Sequence, residues 1–589
     1  MDSSVSPLQD SSTAVANDAL EDQIPVLALA KSLFGETVLI HSKTVPGFDE
    51  PKWNDFLQYH NFTVVESGHG RITILSTLQC KQDRLGKKYL FGGRSFHQAT
   101  KQLVIGDADV SRFGIDAHSL KEDCGEFHLV EIDDDKVTFS ADYYGIQQLF
   151  YYDSDGLYVI ATSYHLLLLV LKTLGVDLSI DISRSRHMLQ ETDTFASDIS
   201  IEMRHCATNS PCERFEIDDG GVSIVRNEPL FNQLYDKGNE FDDLEYARLV
   251  AQGRDEVVSN VGMVFEYPDF DKVVVDLSGG FDSRIVFAAA TVLPQTLVRE
   301  KILVNQQFAP SPSAKQGDEP AFAAALSRLY DYPLFDDSYE DRFQYVELTD
   351  RSDHRLMHQN RISRSMGTHK NFNHIVPRNV DYYVKNVTRL SGFCGGPYRG
   401  VDQKTPQKTV AFTQHRNRYM ATRAFENILS PLMSKKMLQA ALMYIYSHPS
   451  ELFSVPEMDL LTAINPFLGK MPFFNKSINE FLNSADPNEL LRYPMHIDIA
   501  VKPILDAENT RFVVKSNPNE FDHVILRDEQ RTIRMLNAIV EFDSSYEDIV
   551  DPMLSKGDFT NSKVMRKITM LWALYFQMQI IQGFGDFPR

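Results

Sequence analysis

The run Val273-Val274-Val275-Asp276-Leu277-Ser278-Gly279-Gly280-Phe281-Asp282-Ser283 constrains this chain more than any other stretch. Its three consecutive β-branched residues, preceded by the polar Asp271-Lys272, read as a short buried strand. A few residues on, Ile285-Val286-Phe287-Ala288-Ala289-Ala290 reads as a helix. Gly279 and Gly280 between them permit positive φ and close backbone approach. Oriented amides at such a helix start form an anion site, where Ser278 and Ser283 add hydroxyl donors and Asp282 can hold a metal. No Gly-Lys-Ser/Thr follows, so the loop is not of the Walker A kind. The competing reading is a tight turn in which Asp282 or Ser283 caps the helix.

Composition narrows the partners. The chain has 589 residues, 43% of them hydrophobic and 24% charged, enough for several globular domains with sizeable cores. A formal charge of −22 argues against an extended nucleic-acid surface, which needs clustered Lys and Arg. Cys80, Cys124, Cys206, Cys212 and Cys394 are too scattered for a disulfide scaffold or zinc ribbon, which points to a reducing compartment. Residues 1–22 are polar and acidic, without the basic and apolar regions of a signal peptide, and read as a flexible tail. The apolar run at 166–171 is too short to span a bilayer and reads as a buried helix. These features predict a cytoplasmic protein without membrane or nucleic-acid partners.

Along the chain, residues 24–235 are strand-rich, with alternating runs such as Arg71-Ile72-Thr73-Ile74-Leu75 and Gly156-Leu157-Tyr158-Val159-Ile160. A boundary is expected near residue 236, dividing a tail (1–23), a sheet domain (24–235) and a second domain (236–589). After the glycine loop, 301–307 reads as a strand and 320–330 as a helix, an alternation that implies a parallel sheet with its ligand at the carboxyl ends of the strands. Residues 420–446 and 565–581 read as helices.

The Ser-Gly-Gly-Phe-Asp-Ser string resembles the pyrophosphate loop of the N-type ATP pyrophosphatases. Two further segments, Cys124-Gly125-Glu126-Phe127-His128-Leu129 and Ala141-Asp142-Tyr143-Tyr144-Gly145, resemble the amidotransferase-like domain of asparagine synthetases. Gly156 to Ser163 resembles a strand ending in Ser in the same proteins, and the domain order is also theirs. The chain thus resembles the asparagine synthetase and β-lactam synthetase family over roughly residues 25–520. The resemblance implies a mixed α/β and α+β architecture: an N-terminal-nucleophile (Ntn) amidotransferase-like β-rich sandwich, then a parallel-sheet ATP pyrophosphatase domain with a helical C-terminal part. It also implies ATP and Mg2+ as cofactors, with Ser278, Gly279, Gly280, Asp282 and Ser283 on the phosphates and Asp282 on the metal.

Three departures shape the expected activity. Glutamine-dependent members use an N-terminal cysteine, whereas Met1 is followed here by Asp2 and no cysteine precedes Cys80. The sheet domain is therefore expected to be a degenerate amidotransferase unless cleavage exposes another nucleophile such as Ser3, and the cysteines are expected in the core. Second, Leu390-Ser391-Gly392-Phe393-Cys394-Gly395-Gly396 resembles the family's second phosphate and metal motif, with Gly392 and Gly395 near nucleotide, but Gly396 stands where an acid is usual. Arg399 could contact phosphate or a substrate carboxylate, and Asp318 or Glu319 could supply the missing oxygen or simply begin a helix. Third, Ile464-Asn465-Pro466-Phe467-Leu468-Gly469 resembles a family segment whose flanking Arg and Asp are replaced. Lys515 lies where the resemblance places the catalytic lysine.

The expected function is an ATP-dependent, AMP-forming amide-bond synthetase of the β-lactam or macrolactam kind. Its substrate would be a small molecule or peptide bearing a carboxylate and an amine. The alternatives are an ammonia-using amidating enzyme and a nucleotide-binding pseudoenzyme scaffold; a homo-oligomer or biosynthetic complex stays open.

Overall fold

The computed structural model describes residues 35–42, 51–142, 147, 149–190, 203–209, 213–226, 243–277, 281–306, 319–335, 345–347, 382–384, 387–390, 529–556, 568, 571, 574–575 and 577–582. Within them the chain is a mixed α/β protein built on two large antiparallel sheets and a small parallel one.

The antiparallel strands follow the alternating runs of the sequence. They are β1 (Thr37–Ser42), β2 (Thr63–Val65), β3 (Ile72–Ser76), β4 (Lys81–Gln82), β5 (Lys88–His97), β6 (Gln102–Ile105) and β7 (Cys124–Ile132). Then come β8 (Val137–Ala141), β9 (Phe150–Ser154), β10 (Leu157–Ala161), β11 (Cys206–Thr208), β12 (Glu213–Asp218) and β13 (Gly221–Arg226). The first sheet runs β11-β9-β10-β1-β3-β2; the second runs β13-β12-β8-β7-β5-β4, with β6 also on β5. Because side chains alternate between faces, each sheet serves two cores. Leu39, Ile74 and Ile160 of the first sheet share one core with Leu90, Val130, Phe139 and Phe215 of the second. The sequence neighbours Val38, Ile40, Leu75 and Val159 belong instead to a larger helical core. Tyr89, Phe91, Phe127 and Leu129, from the other face of the second sheet, pack with Val110 and Leu120.

Four helices accompany this sandwich: α1 (Pro51–His60), α2 (Gly106–Arg112), α3 (Tyr164–Thr173) and α4 (Ile182–Gln190). The apolar run at 166–171 is the body of α3, every residue of it buried, so it is a core helix as its length predicts. Ser163 caps it by accepting a hydrogen bond from the Leu166 amide, satisfying one orphan donor of the first turn.

The parallel sheet is formed by β14 (Lys272–Leu277), β15 (Ile302–Gln306) and β18 (Val387–Leu390), in the order β15-β14-β18. A separate antiparallel pair joins β16 (Tyr345–Glu347) to β17 (Tyr382–Val384). The helices of this part are α5 (Asp243–Glu266), α6 (Phe281–Val292), α7 (Gln295–Lys301) and α8 (Glu319–Tyr330). It is linked to the sandwich by polar contacts: Gln98 Nε2 donates to Asn260 Oδ1 at 2.8 Å, and the Tyr267 hydroxyl donates to Asp109 Oδ2 at 2.9 Å.

The C-terminal helices α9 (Glu529–Phe542) and α10 (Glu547–Lys556) return to the sandwich. Met535, Ile539, Val550, Ile568, Leu571 and Leu574 share the helical core with Val38, Val159 and Leu167. The Tyr546 hydroxyl donates to Ser185 Oγ at 3.0 Å, and Arg186 pairs with Asp548 at 2.8 Å. Residue 236, where a boundary is expected, lies outside the described residues. The described apolar residues of α9, α10 and the stretch after them are buried in the same core as the first sheet.

Candidate functional site

The expected strand before the glycine loop is β14, the middle strand of the parallel sheet, with Val273, Val275 and Leu277 all at 1% exposure or less. It is two residues longer at its carboxyl end than the β-branched run alone suggests, because Asp276 and Leu277 complete the ladder opposite Asn305 and Gln306. Helix α6 begins at Phe281, four residues earlier than its apolar stretch predicts. Asp282 and Ser283 thus lie in the first turn of α6 rather than at its cap, and Ser283 is buried at 3% exposure. Ser278, Gly279 and Gly280, and the side chain of Asp282, lie outside the described residues.

The second glycine-rich motif starts directly after β18, which lies parallel to β14 with Val275 opposite Leu390. The chain therefore enters Ser278 and Ser391 from the carboxyl ends of neighbouring parallel strands, although more than a hundred residues separate them in sequence. Open parallel sheets place their ligands at this edge. Gly392, Gly395, Gly396, Arg399, Asp318, the 464–469 segment and Lys515 lie outside the described residues. Glu319 is the first residue of α8, the place its helix-starting alternative predicts. Among the described residues, no group of three or more His, Cys, Asp and Glu side chains is placed to hold a metal.

One polar contact at this edge has no signal in the sequence. Asp276 is fully buried, and its Oδ1 accepts a hydrogen bond from Asn305 Nδ2 at 2.7 Å. Asn305 is half-buried at the penultimate position of β15. Asp276 is the one polar residue among the buried positions of β14, and the register of β15 sets Asn305 opposite it.

A second polar cluster, also missed in sequence, lies between the two antiparallel sheets. Thr37, at the head of β1, has its hydroxyl 2.9 Å from Ser76 Oγ and 3.1 Å from His128 Nε2. The Thr37 amide donates to Thr162 Oγ1, and Ser163 Oγ donates to Glu36 Oε1. Arg94 Nη2 donates to Glu126 Oε2 at 2.9 Å, where β5 and β7 place the two residues opposite each other. Gly92 makes room for the imidazole: a Cβ there would lie 2.6 Å from His128 Cε1. The segments around Glu126 and Asp142 are thus adjacent, on β7 and just after β8, with the Asp142 amide donating to the Phe127 carbonyl. No cysteine stands at the head of β1, where Glu36 precedes Thr37. Cys124 and Cys206 are buried as expected, and burial pushes the Cys206 thiol up, away from thiolate chemistry. Cys80 departs from the core expectation: it is exposed, just ahead of the short β4.

No model of a known protein family matches the chain, and no curated protein matches it. Among solved structures, glutamine phosphoribosylpyrophosphate amidotransferase from B. subtilis, complexed with ADP and GMP, is similar over 41% of this chain and 60% of its own, at 11% identity and a TM-score of 0.21. The allosteric regulatory enzyme of purine biosynthesis is similar over 42% of this chain and 55% of its own, at 9% identity and a TM-score of 0.19. The chain thus matches less than two thirds of the length of either structure. At these TM-scores neither likeness assigns a fold or a function. Among the described residues, no helix is long and apolar enough to cross a membrane.

Proposed function

We propose that this chain is an ATP-dependent, AMP-forming carbon–nitrogen ligase that activates a carboxylate as an acyl-adenylate for attack by an amine, without glutaminase activity. The observation that carries the proposal is the parallel order β15-β14-β18, in which both glycine-rich motifs follow the carboxyl ends of adjacent strands. The resemblance of those motifs to ATP pyrophosphatase loops supplies the chemistry.

In this reading the amides that begin α6, with Ser278 and Ser283, hold the β and γ phosphates. Asp282 would hold magnesium beside phosphate oxygens and water, and the ion would supply neutralisation of the charge on the leaving pyrophosphate. Binding aligns the α phosphorus with the substrate carboxylate. The carboxylate oxygen attacks that phosphorus and pyrophosphate leaves. An amine then attacks the acyl carbon, AMP departs with the bonding pair, and the amine loses a proton as the amide forms. Lys515 would stabilise the oxyanion of that second step. With Glu36-Thr37 at the head of β1 and Cys124 and Cys206 buried, the nitrogen comes from the substrate amine rather than from glutamine.

Stoichiometric release of pyrophosphate and AMP from Mg-ATP, measured with candidate amino-acid and peptide substrates, tests the proposal. AMP formation that needs only ammonium and an acid would move the chain to the ammonia-using reading. Nucleotide binding with no turnover on any substrate would make it a scaffold.

A further inference from the structure

The buried carboxylate of Asp276 is out of place in a strand whose other buried positions are apolar. Placing an ionised carboxylate in a sheet interior is costly unless donors meet it. Asn305 Nδ2 meets it at 2.7 Å, and Asn305 is not its only partner. The bond bridges two parallel strands at matching positions, Asp276 opposite Asn305, next to the edge from which the first glycine motif leaves.

The bond also fixes which way round the Asn305 amide lies. The Asn305 nitrogen donates to the Asp276 oxygen, so the amide turns its nitrogen toward Asp276. The carbonyl Oδ1 and the second N–H of Asn305 remain, and among the described residues the Asn305 side chain makes no other hydrogen bond. Asn305 is half-buried at the carboxyl end of β15, where a ligand of a parallel sheet is bound. A carbonyl acceptor beside an N–H donor complements adenine, whose N6 amino group donates and whose ring nitrogen accepts. Guanine presents a carbonyl in place of that amino group. To meet it, the amide would have to turn over and set its own oxygen against the Asp276 carboxylate.

We propose that Asn305 reads the base of the bound nucleotide and that Asp276 is the positioning residue that locks its amide in the adenine-selecting orientation. This rests on the nucleotide-binding reading above and adds the specificity element to it. The pair is not a catalytic one, since neither residue is asked to touch the reacting phosphate.

Isothermal titration calorimetry of the full chain with Mg-ATP and Mg-GTP provides the test. The unaltered chain should bind ATP more tightly than GTP. Asp276→Asn, whose amide accepts or donates and so lets Asn305 turn, should cut the ATP-over-GTP preference by about tenfold, within what one bidentate amide–base pair supplies. The double variant Asp276→Asn with Asn305→Asp rebuilds a hydrogen-bonded pair with donor and acceptor exchanged. It should recover the thermal stability lost in the single variant but not the base preference. Recovery of both would mean that the pair only pins the strands, and would overturn the inference. A preference untouched by Asp276→Asn, or absent from the unaltered chain, would overturn it too while leaving the ligase proposal in place. Failure of the unaltered chain to bind either nucleotide would remove both.

Discussion

The Tyr164 hydroxyl donates a hydrogen bond to the Gln577 side-chain oxygen at 2.9 Å, joining two fully buried residues 413 positions apart. Around this polar bond the core is apolar, with Leu167 and Leu171 of α3 and Leu574 and Met578 of the C-terminal segment. In such surroundings the bond helps select how the last helical segment lies on α3. Tyr164→Phe should cost about 1–3 kcal/mol in urea-unfolding stability, the usual penalty for a buried polar group that loses a partner. Both residues have other interactions, so the lower end is expected. Removal of residues 529–589 should be far more damaging than a tail deletion. It uncovers the apolar side of α3, and dye binding to exposed hydrophobic surface should rise sharply.

Arg94 and Glu126 form a nearly water-free ion pair inside the sandwich, their side chains 8% and 4% exposed. Removing one partner of a buried pair weakens the compensation of the other charge, and Arg94 has a further interaction, so Glu126→Ala should destabilise by about 3 kcal/mol, the lower end for such a pair. Replacing both residues with apolar ones of similar volume should recover much of that loss. A double-mutant cycle by chemical denaturation measures the coupling.

His41 gives a pH dependence of definite sign. Burial, followed by the nearby Arg71 charge, holds its imidazole below the usual value of 6.5 in the folded chain. The unfolded chain therefore takes up a proton at His41 before the folded chain does. Its contribution to stability is complete above pH 6.5 and is lost as pH falls from there through the depressed folded value. His41→Gln should flatten that part of the stability profile, and urea titrations at pH 7 and pH 5 compare the two chains.

Asp282 and Ser283 stand in the first turn of α6, the proposed phosphate end. Asp282→Ala should lower pyrophosphate release by about a hundredfold or more, the several kcal/mol that a metal clamp supplies. Unchanged release would reject Asp282 as the metal carboxylate. Ser283→Ala should mainly weaken ATP binding, seen as a raised KM with a smaller change in kcat.

Much of the local structure was legible in the sequence, since local periodicity reports which residues are buried. Alternating apolar residues at 71–75 and 156–160 marked β3 and β10 to within about a residue. The valine run and the alanine-rich stretch after it marked β14 and α6, and the leucine run marked α3. The chemistry expected of Ser278, Gly279, Gly280 and Asp282 comes from their residue types and awaits the assays above.

Contacts between distant segments were not legible. Asp276 looks like a flaw in a strand until β15 brings Asn305 against it, and Leu390, which leads into the second glycine motif, is distant from Val275 until β18 settles beside β14. Nothing in the apolar pattern of 565–581 says that its partner is α3 rather than the parallel sheet, because hydrophobic burial rewards any apolar surface without naming one. The sequence by itself determined which segments are strands and helices and which of their faces must leave water. Only the tertiary structure decided which of those faces meet, because strand register and polar pairs such as Tyr164 with Gln577 act only once the distant segments are in contact.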